Sequence, residues 1–371
     1  MSTIYVRVSN EYLYDRPLRV DVAWSPDDLR LATVVNSTEA IGRIEIWDAA
    51  TGDKIATWGS HNDQQIWAAD WSADDLIITG GADNTVRIWQ ADTGEEVQTL
   101  AGHSGEVHDI TLSPDGVFVA SASADTTVRI WDVLTGEALQ VLLGHLGAVN
   151  SVDWSPDGSR LISGGDDGLA IIWETASGKI IRAIGHTDAV LAVEWSPDGM
   201  LVATASADGT SRVWDVLSGA LVSTIPGKSL AWSPDGNRLI AGLGVASLRM
   251  WDMSWRPVRL VGHNGDLTDA KWSPDGTRLV TTSFDNTVRV WDAVSGENLV
   301  VRSNNPGDGG EIDFIPGSDW AVTGGFGTTY LWNIKSGEER FVFPSRDDGV
   351  IGHAVSPDGS RLVLFGDENS Q

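Results

Sequence analysis

Short runs of alternating apolar and polar residues follow one another along most of the chain. The run AVNSVDW (residues 148–154) is separated from SRLISGG (159–165) by the turn sequence SPDG. TVRIW (127–131) and TGEALQVL (135–142) show how a third and a fourth run follow. Alternation with a period of two predicts half-buried β-strands, and Pro, Asp and Gly favour the backbone angles of tight turns. The pattern therefore predicts an all-β fold of short antiparallel strands in groups of four.

This group of strands recurs with a period of about 41 residues. Stretches that begin with Gly-His and end at a Trp followed by Asp or Glu start at Gly102, Gly144, Gly185 and Gly262. One four-stranded sheet buries little apolar surface, so the copies must stack face to face to form a core. The ordered recurrence resembles the WD-repeat (WD40) β-propeller family, and bacterial-type members in particular, over nearly the whole chain. The resemblance implies a propeller of four-stranded antiparallel blades.

A His, a Ser or Thr, an Asp and a Trp recur at fixed spacing in five of the repeats. His103, Ser121 and Asp125 alone have the residue types of a hydrolase triad. A catalytic site is needed once, so five copies predict a structural role, no catalytic residue and a protein that is not an enzyme. The resemblance implies that each set is a hydrogen-bonded tetrad that joins the strands of its blade. The sets are His61, Thr79, Asp83, Trp89; His103, Ser121, Asp125, Trp131; His145, Ser163, Asp167, Trp173; His186, Thr204, Asp208, Trp214; and His263, Thr281, Asp285, Trp291.

The count of repeats predicts nine blades in a single propeller over residues 1–371. The ninth unit, GHAVSPDGSRLVLFGDENSQ (352–371), ends where its third strand should begin, and TIYVRVS (3–9) is similar to the third strands of other units. We therefore expect residues 1–16 to supply strands that close the ring with residues 346–371. The alternatives are an eight-bladed ring and a fragment of a longer chain. The units around Trp24, Trp232, Phe314 and Val355 depart from the repeat, and we expect them to be the softer blades.

Charge and composition restrict the classes of partner. The formal net charge is −27, which disfavours binding to nucleic acid or to anionic membranes. The chain has no Cys, no phosphate-binding glycine loop and no metal-ligand spacing, so no cofactor and no metal are predicted. No apolar run approaches the length of a membrane span, which favours a cytoplasmic protein.

The remaining candidate for function is the surface. In the family that the chain resembles, partners usually bind the face that carries the loop before each first strand and the turn before each tetrad Asp. Mapping by motif position predicts a partner-binding set of Trp67, His108, Asn150, Asp166, Leu191, Thr268 and Phe284. We expect a monomeric, non-enzymatic scaffold for a protein or peptide partner. The alternatives are a channel that binds a small molecule or carbohydrate, and a sensor module of a larger regulatory protein.

Overall fold

The alternating runs fold into strands of three residues (Pro257–Arg259) to seven residues (Lys179–Gly185), joined in chain order by tight turns. The structure is a computed structural model. It describes residues 21–24, 30–35, 42–48, 54–59, 61–62, 64–227, 229–242, 248–252, 257–260, 262–265, 267–303, 311–315, 318–324, 328–344, 350–355 and 362–366. Within these ranges every regular element is a β-strand, and no helix there is long and apolar enough to cross a membrane.

Sheets 1 to 5 belong to one compact unit of the chain, here called the first unit. Each has four antiparallel strands that pair in chain order. Their strands are β1 (Asp21–Trp24), β2 (Arg30–Val35), β3 (Arg43–Asp48), β4 (Lys54–Trp58); β5 (Ile66–Trp71), β6 (Leu76–Gly81), β7 (Thr85–Gln90), β8 (Glu96–Ala101); β9 (Val107–Leu112), β10 (Phe118–Ser123), β11 (Thr127–Asp132), β12 (Ala138–Leu143); β13 (Val149–Trp154), β14 (Arg160–Gly165), β15 (Leu169–Glu174), β16 (Lys179–Gly185); and β17 (Val190–Trp195), β18 (Leu201–Ser206), β19 (Thr210–Asp215), β20 (Leu221–Pro226).

Sheets 6 to 9 belong to a second compact unit. Sheets 6 to 8 have four strands each, and two strands of sheet 9 lie in the described residues. The strands are β21 (Ser229–Trp232), β22 (Arg238–Gly242), β23 (Leu248–Asp252), β24 (Pro257–Arg259); β25 (Leu267–Trp272), β26 (Arg278–Ser283), β27 (Thr287–Asp292), β28 (Asn298–Ser303); β29 (Glu311–Phe314), β30 (Trp320–Gly324), β31 (Thr328–Asn333), β32 (Glu339–Pro344); and β33 (Val350–Val355), β34 (Leu362–Gly366).

The SPDG turns fix the register between the first and second strands. In sheet 4 the Gly158 N–H donates to the Ser155 carbonyl at 2.8 Å, and the Ser155 hydroxyl donates to the Asp157 carboxylate at 2.6 Å. Gly158 has a φ of +70°, in the left-handed region that glycine adopts without a steric penalty. The result is the pairing of Trp154 with Leu161 that starts the ladder.

Cores form where neighbouring sheets face each other, as the stacking of repeats requires. Between sheets 2 and 3, buried side chains of both sheets make one cluster that includes Ile78, Val86, Ile88, Val107, Val119 and Trp131. The third-strand Trp of sheets 2 to 8 is buried in every case: Trp89, Trp131, Trp173, Trp214, Trp251, Trp291 and Trp332. Most of the Trp residues whose burial the structure describes are thus part of the core.

The predicted all-β fold of four-stranded antiparallel sheets is confirmed. Sheets 6 and 8 form four strands although the sequence around Trp232 and Phe314 lacks a complete tetrad. Residues 1–16 lie outside the described part of the chain, so the closing strands, the nine-bladed count and the single ring over residues 1–371 stay predictions.

Candidate functional site

Each of the five recurring sets forms one hydrogen-bonded chain inside its own sheet. In sheet 2 the His61 Nδ1 lies 2.7 Å from Asp83 Oδ1, and its Nε2 lies 2.7 Å from the Thr79 hydroxyl. The Trp89 indole N–H donates to the same hydroxyl at 2.8 Å. The proton positions follow from this order: His61 donates to Asp83, Thr79 donates to His61, and Trp89 donates to Thr79.

The same connections occur in the other four sets. The His Nδ1 to Asp distances are 2.9 Å for His103 and 3.0 Å for His145, His186 and His263. The His Nε2 to hydroxyl distances are 2.8 Å to Ser121, 2.9 Å to Ser163, 2.8 Å to Thr204 and 2.7 Å to Thr281. The Trp N–H groups donate at 2.8 Å from Trp131, 2.8 Å from Trp173, 3.0 Å from Trp214 and 2.8 Å from Trp291.

In four of the five sets, burial holds the His side chain in its neutral form. Burial lowers the pKa of His61, His103, His186 and His263, so these imidazoles are neutral. Burial would raise the pKa of Asp125, but hydrogen bonds from Thr127, from the Ser104 N–H and from His103 outweigh it and lower that pKa to about 2. All five hydroxyl groups belong to buried residues, which are Thr79, Ser121, Ser163, Thr204 and Thr281. A substrate has no access to such a hydroxyl, so the sets are suited to holding strands together rather than to nucleophilic attack.

Sheets 4 and 8 hold reduced versions of this arrangement. Four tetrad Asp residues accept a hydrogen bond from a Thr two positions later, as Asp83 does from Thr85 at 2.7 Å. Sheet 4 has Leu169 there, which has no hydroxyl and donates to Asp167 through its backbone N–H at 3.0 Å. In sheet 8 Trp332 donates to Thr323 at 3.1 Å although the repeat has no His at the tetrad position.

Three predicted partner-binding residues connect consecutive sheets of the first unit. The Trp67 indole N–H of sheet 2 donates to Glu106 in the loop before β9 at 3.1 Å. His108 Nδ1 of sheet 3 lies 3.2 Å from the Val149 carbonyl of sheet 4. Asn150 of sheet 4 donates to the Val190 carbonyl of sheet 5 at 3.1 Å. Residues at the same position of successive first strands therefore form a continuous row, and Leu191 takes that position in sheet 5.

The other predicted partner-binding residues lie on turns or in the second unit. Asp166 is exposed in the turn before the sheet 4 tetrad Asp, and its carboxylate accepts from Asn150 at 2.8 Å. Phe284 occupies the equivalent turn of sheet 7 and is 42% exposed. Thr268 lies in β25, and its side chain is outside the described part of the structure.

The sequence patterns missed a set of carboxylates on the first strands. Asp70 accepts from the Leu112 N–H of the next sheet at 3.2 Å, and Asp109 accepts from the Val152 N–H of sheet 4 at 3.2 Å. Asp153 continues the series by accepting from the Trp195 N–H at 2.9 Å. These carboxylates could have been predicted from an acidic residue inside an otherwise apolar strand. Burial of a carboxylate is costly in free energy unless the carboxylate is hydrogen-bonded.

Burial has a large effect on the pKa of Asp153. Desolvation by the surrounding protein raises its pKa to about 7, against the hydrogen bonds from two backbone N–H groups, and the nearby carboxylate of Asp109 adds to the rise. In the second unit, Asp269 accepts from the Ile312 N–H at 2.9 Å, and burial raises its pKa to about 6. No group of three or more His, Asp or Glu side chains converges to hold a metal ion among the described residues.

The fold and the five hydrogen-bonded sets define a WD-repeat β-propeller. A family model for the WD domain, G-beta repeat, matches residues 52–90. The model described as the IFT122 first beta-propeller matches residues 106–370, so the chain belongs to that family of propellers. No curated protein matches the chain. WD-repeat propellers generally serve as scaffolds for protein interactions.

Proposed function

We propose that this propeller is a non-enzymatic scaffold that binds a protein or peptide through the first unit. The proposed site is the row of side chains Trp67, His108, Asn150 and Leu191, here called the binding row. The observation that carries the proposal is that these equivalent positions on four successive first strands hold large or polar side chains, and three of them are fixed by bonds to the next sheet. Side chains that are already fixed lose little conformational entropy when a partner binds.

The charge beside the binding row favours a basic partner with apolar anchor groups. Glu106 and Asp166 are exposed and bonded to members of the row, and Asp188 is exposed in the loop before β17. The whole chain carries a formal net charge of −27, which steers cationic partners toward it. Trp67 and Leu191 supply the apolar surface that central contacts of an interface need.

Phe284 is a separate candidate contact in the second unit. Phe284 is 42% exposed on the turn before a tetrad Asp, which is the turn that carries Asp166 in sheet 4. We include it, together with Asp166 and Thr268, in the proposed partner-binding set. The monomeric state and the cytoplasmic location expected from the sequence are also parts of this proposal.

Affinity capture from a native lysate, followed by mass spectrometry, tests the proposal. Wild type is compared with Trp67→Ala/Leu191→Ala, with Phe284→Ala, and with the control Lys179→Ala, whose exposed side chain lies on the outer strand β16. We expect a protein that wild type and Lys179→Ala capture and that Trp67→Ala/Leu191→Ala loses. Identical capture by all four folded proteins would exclude the binding row and Phe284 as the site.

A further inference from the structure

A second apolar surface lies at the opposite end of the sheets from the binding row. In sheets 3, 4, 5 and 7 the SPDG turn and the turn between the third and fourth strands lie side by side at this end. The Val133 N–H donates to the Val117 carbonyl in sheet 3, and the Val216 N–H donates to the Met200 carbonyl in sheet 5, both at 3.0 Å. These bonds place the tips of the two turns together.

The turn tips of sheets 3 and 5 are apolar and unusually exposed. Leu134 is 88% exposed and Leu217 is 85% exposed, and they lie beside Val117 and Met200, which are 44% and 67% exposed. We call these four residues the turn-end patch.

The equivalent turns of neighbouring sheets are not apolar in the same way. Sheet 4, between sheets 3 and 5, has the small residues Ser159 and Ala176 at the same positions, and sheet 2 has Asp92 at the position of Leu134. The apolar tips are therefore not a requirement of the repeat.

The backbone of both leucine turns is held by neighbouring groups. In sheet 3 the Thr135 N–H donates to Asp132 at 2.7 Å, and Gln98 of sheet 2 donates to the Thr135 carbonyl at 2.8 Å. In sheet 5 the Arg182 guanidinium of sheet 4 donates to the Leu217 carbonyl at 3.2 Å. Exposed leucines on a fixed backbone are preorganised to enter an apolar surface of a partner.

Charge identifies the class of partner that this surface fits. The six turn segments of sheets 3 to 5 at this end are residues 113–118, 132–138, 155–160, 174–180, 196–201 and 215–221. They contain seven carboxylates and two cations. The carboxylates are Asp115, Asp132, Glu137, Asp157, Glu174, Asp198 and Asp215, and the cations are Arg160 and Lys179. Two apolar tips surrounded by negative charge complement a segment that has apolar residues on one side and Lys or Arg on the other.

We propose that the turn-end patch is a second docking surface, which binds a cationic amphipathic helix of a partner protein. An apolar helix face covers Leu134 and Leu217, and the basic flanks of the helix pair with the surrounding carboxylates. The small residues of sheet 4 leave room for the helix between the two apolar tips. This surface does not depend on the binding row, so it gives the scaffold a second partner site.

Fluorescence anisotropy with a designed peptide tests the proposal at physiological ionic strength. The probe is a labelled helix-forming peptide with Leu on one face and Lys on the other. The comparison peptides are a scrambled sequence of the same composition and a Leu/Glu version. We expect the amphipathic Leu/Lys peptide to bind wild type and Leu134→Ser/Leu217→Ser to bind it at least about tenfold more weakly, because each lost leucine removes buried apolar area. The matched control Val294→Ser, at the same turn position in the second unit, should bind as wild type does.

Four results would overturn the proposal. The first is no binding to wild type, and the second is equal binding to the double variant, which would show only general attraction to an acidic protein. The third is equal binding of the scrambled peptide. The fourth is self-association of wild type in sedimentation that the double variant lacks, since the occupant would then be a second copy of this chain.

Thermal unfolding tests whether the variants are folded. Because both leucines are at least 85% exposed, we expect unchanged unfolding transitions. Trp67→Ala/Leu191→Ala should bind the probe as wild type does, which separates this surface from the binding row.

Discussion

Removal of one tetrad hydroxyl should destabilise the protein far more than removal of a hydroxyl a few residues away. Thr79→Val keeps the shape of the side chain but removes the group that donates to His61 at 2.7 Å and accepts from Trp89 at 2.8 Å. Thr79 and His61 have no exposed surface and Trp89 is 4% exposed, so water cannot replace the lost partner. Each buried group left without a partner costs about 1–3 kcal/mol, so we expect the free energy of unfolding to fall by roughly 2–6 kcal/mol.

Thr85→Val is the matched control in the same sheet. The Thr85 hydroxyl donates to Asp83 at 2.7 Å, but that carboxylate also accepts from His61, from Arg87 and from the Thr85 N–H. The control should therefore cost only about 0.5–1.5 kcal/mol. The assay is urea unfolding followed by far-UV circular dichroism, with the slopes of the transitions compared. A loss for Thr79→Val no larger than that for Thr85→Val would refute the assignment of the tetrads as the main polar support of the sheets.

Three further outcomes are expected. His145→Ala should lower the free energy of unfolding by about 1–3 kcal/mol. The affinity for a partner of the binding row, measured below the unfolding transition, should not change. A changed affinity with unchanged stability would contradict this prediction. The pKa of Asp153 is raised from its ordinary value of 3.8 to about 7, so between these values the folded state holds a proton that the unfolded state has lost, and stability should fall as the pH rises. Asp153→Asn should flatten that dependence in urea unfolding at several pH values, and an unchanged slope would disprove the inference. Deletion of residues 1–16 should cause aggregation, detected by size-exclusion chromatography, if these residues close the ring; a soluble deletion variant of equal stability would argue against closure.

The sequence predicted the fold well because the same pattern of strands and turns recurs in several repeats. A single GH element or a single WSPDG turn has little meaning, but ordered recurrence defines the strands, the turns and the buried Trp of each sheet. The spacing of His, hydroxyl, Asp and Trp also brought together residues that the structure joins by hydrogen bonds. This works because each set lies within one repeat, so its geometry follows from local strand pairing.

Contacts between repeats were harder to predict. Asp70 and Asp153 are the fifth residues of their strands, whereas Asp109 is the third residue of its strand. Each accepts from the backbone of the following sheet, about 42 residues away in the chain. A backbone N–H leaves no signature in the sequence, so the acceptors looked like isolated acidic residues. The binding row was predicted by position, but its bonds to the next sheet also run between repeats and had to be seen in the structure.

The hydrogen bonds that hold the turns of sheets 3 and 5 restrict how the order of the repeats can change by recombination. Gln98 supports the turn at Thr135, whereas Arg182 supports the turn at Leu217. The supporting residue and the turn it holds belong to successive repeats. Exchange of the sheet 2 and sheet 4 repeats in the gene would therefore place Arg182 beside the Thr135 carbonyl and Gln98 beside the Leu217 carbonyl. Repeats that are alike in sequence therefore differ in the side chain that contacts the next repeat. The order of the sheets determines which side chain supports which turn.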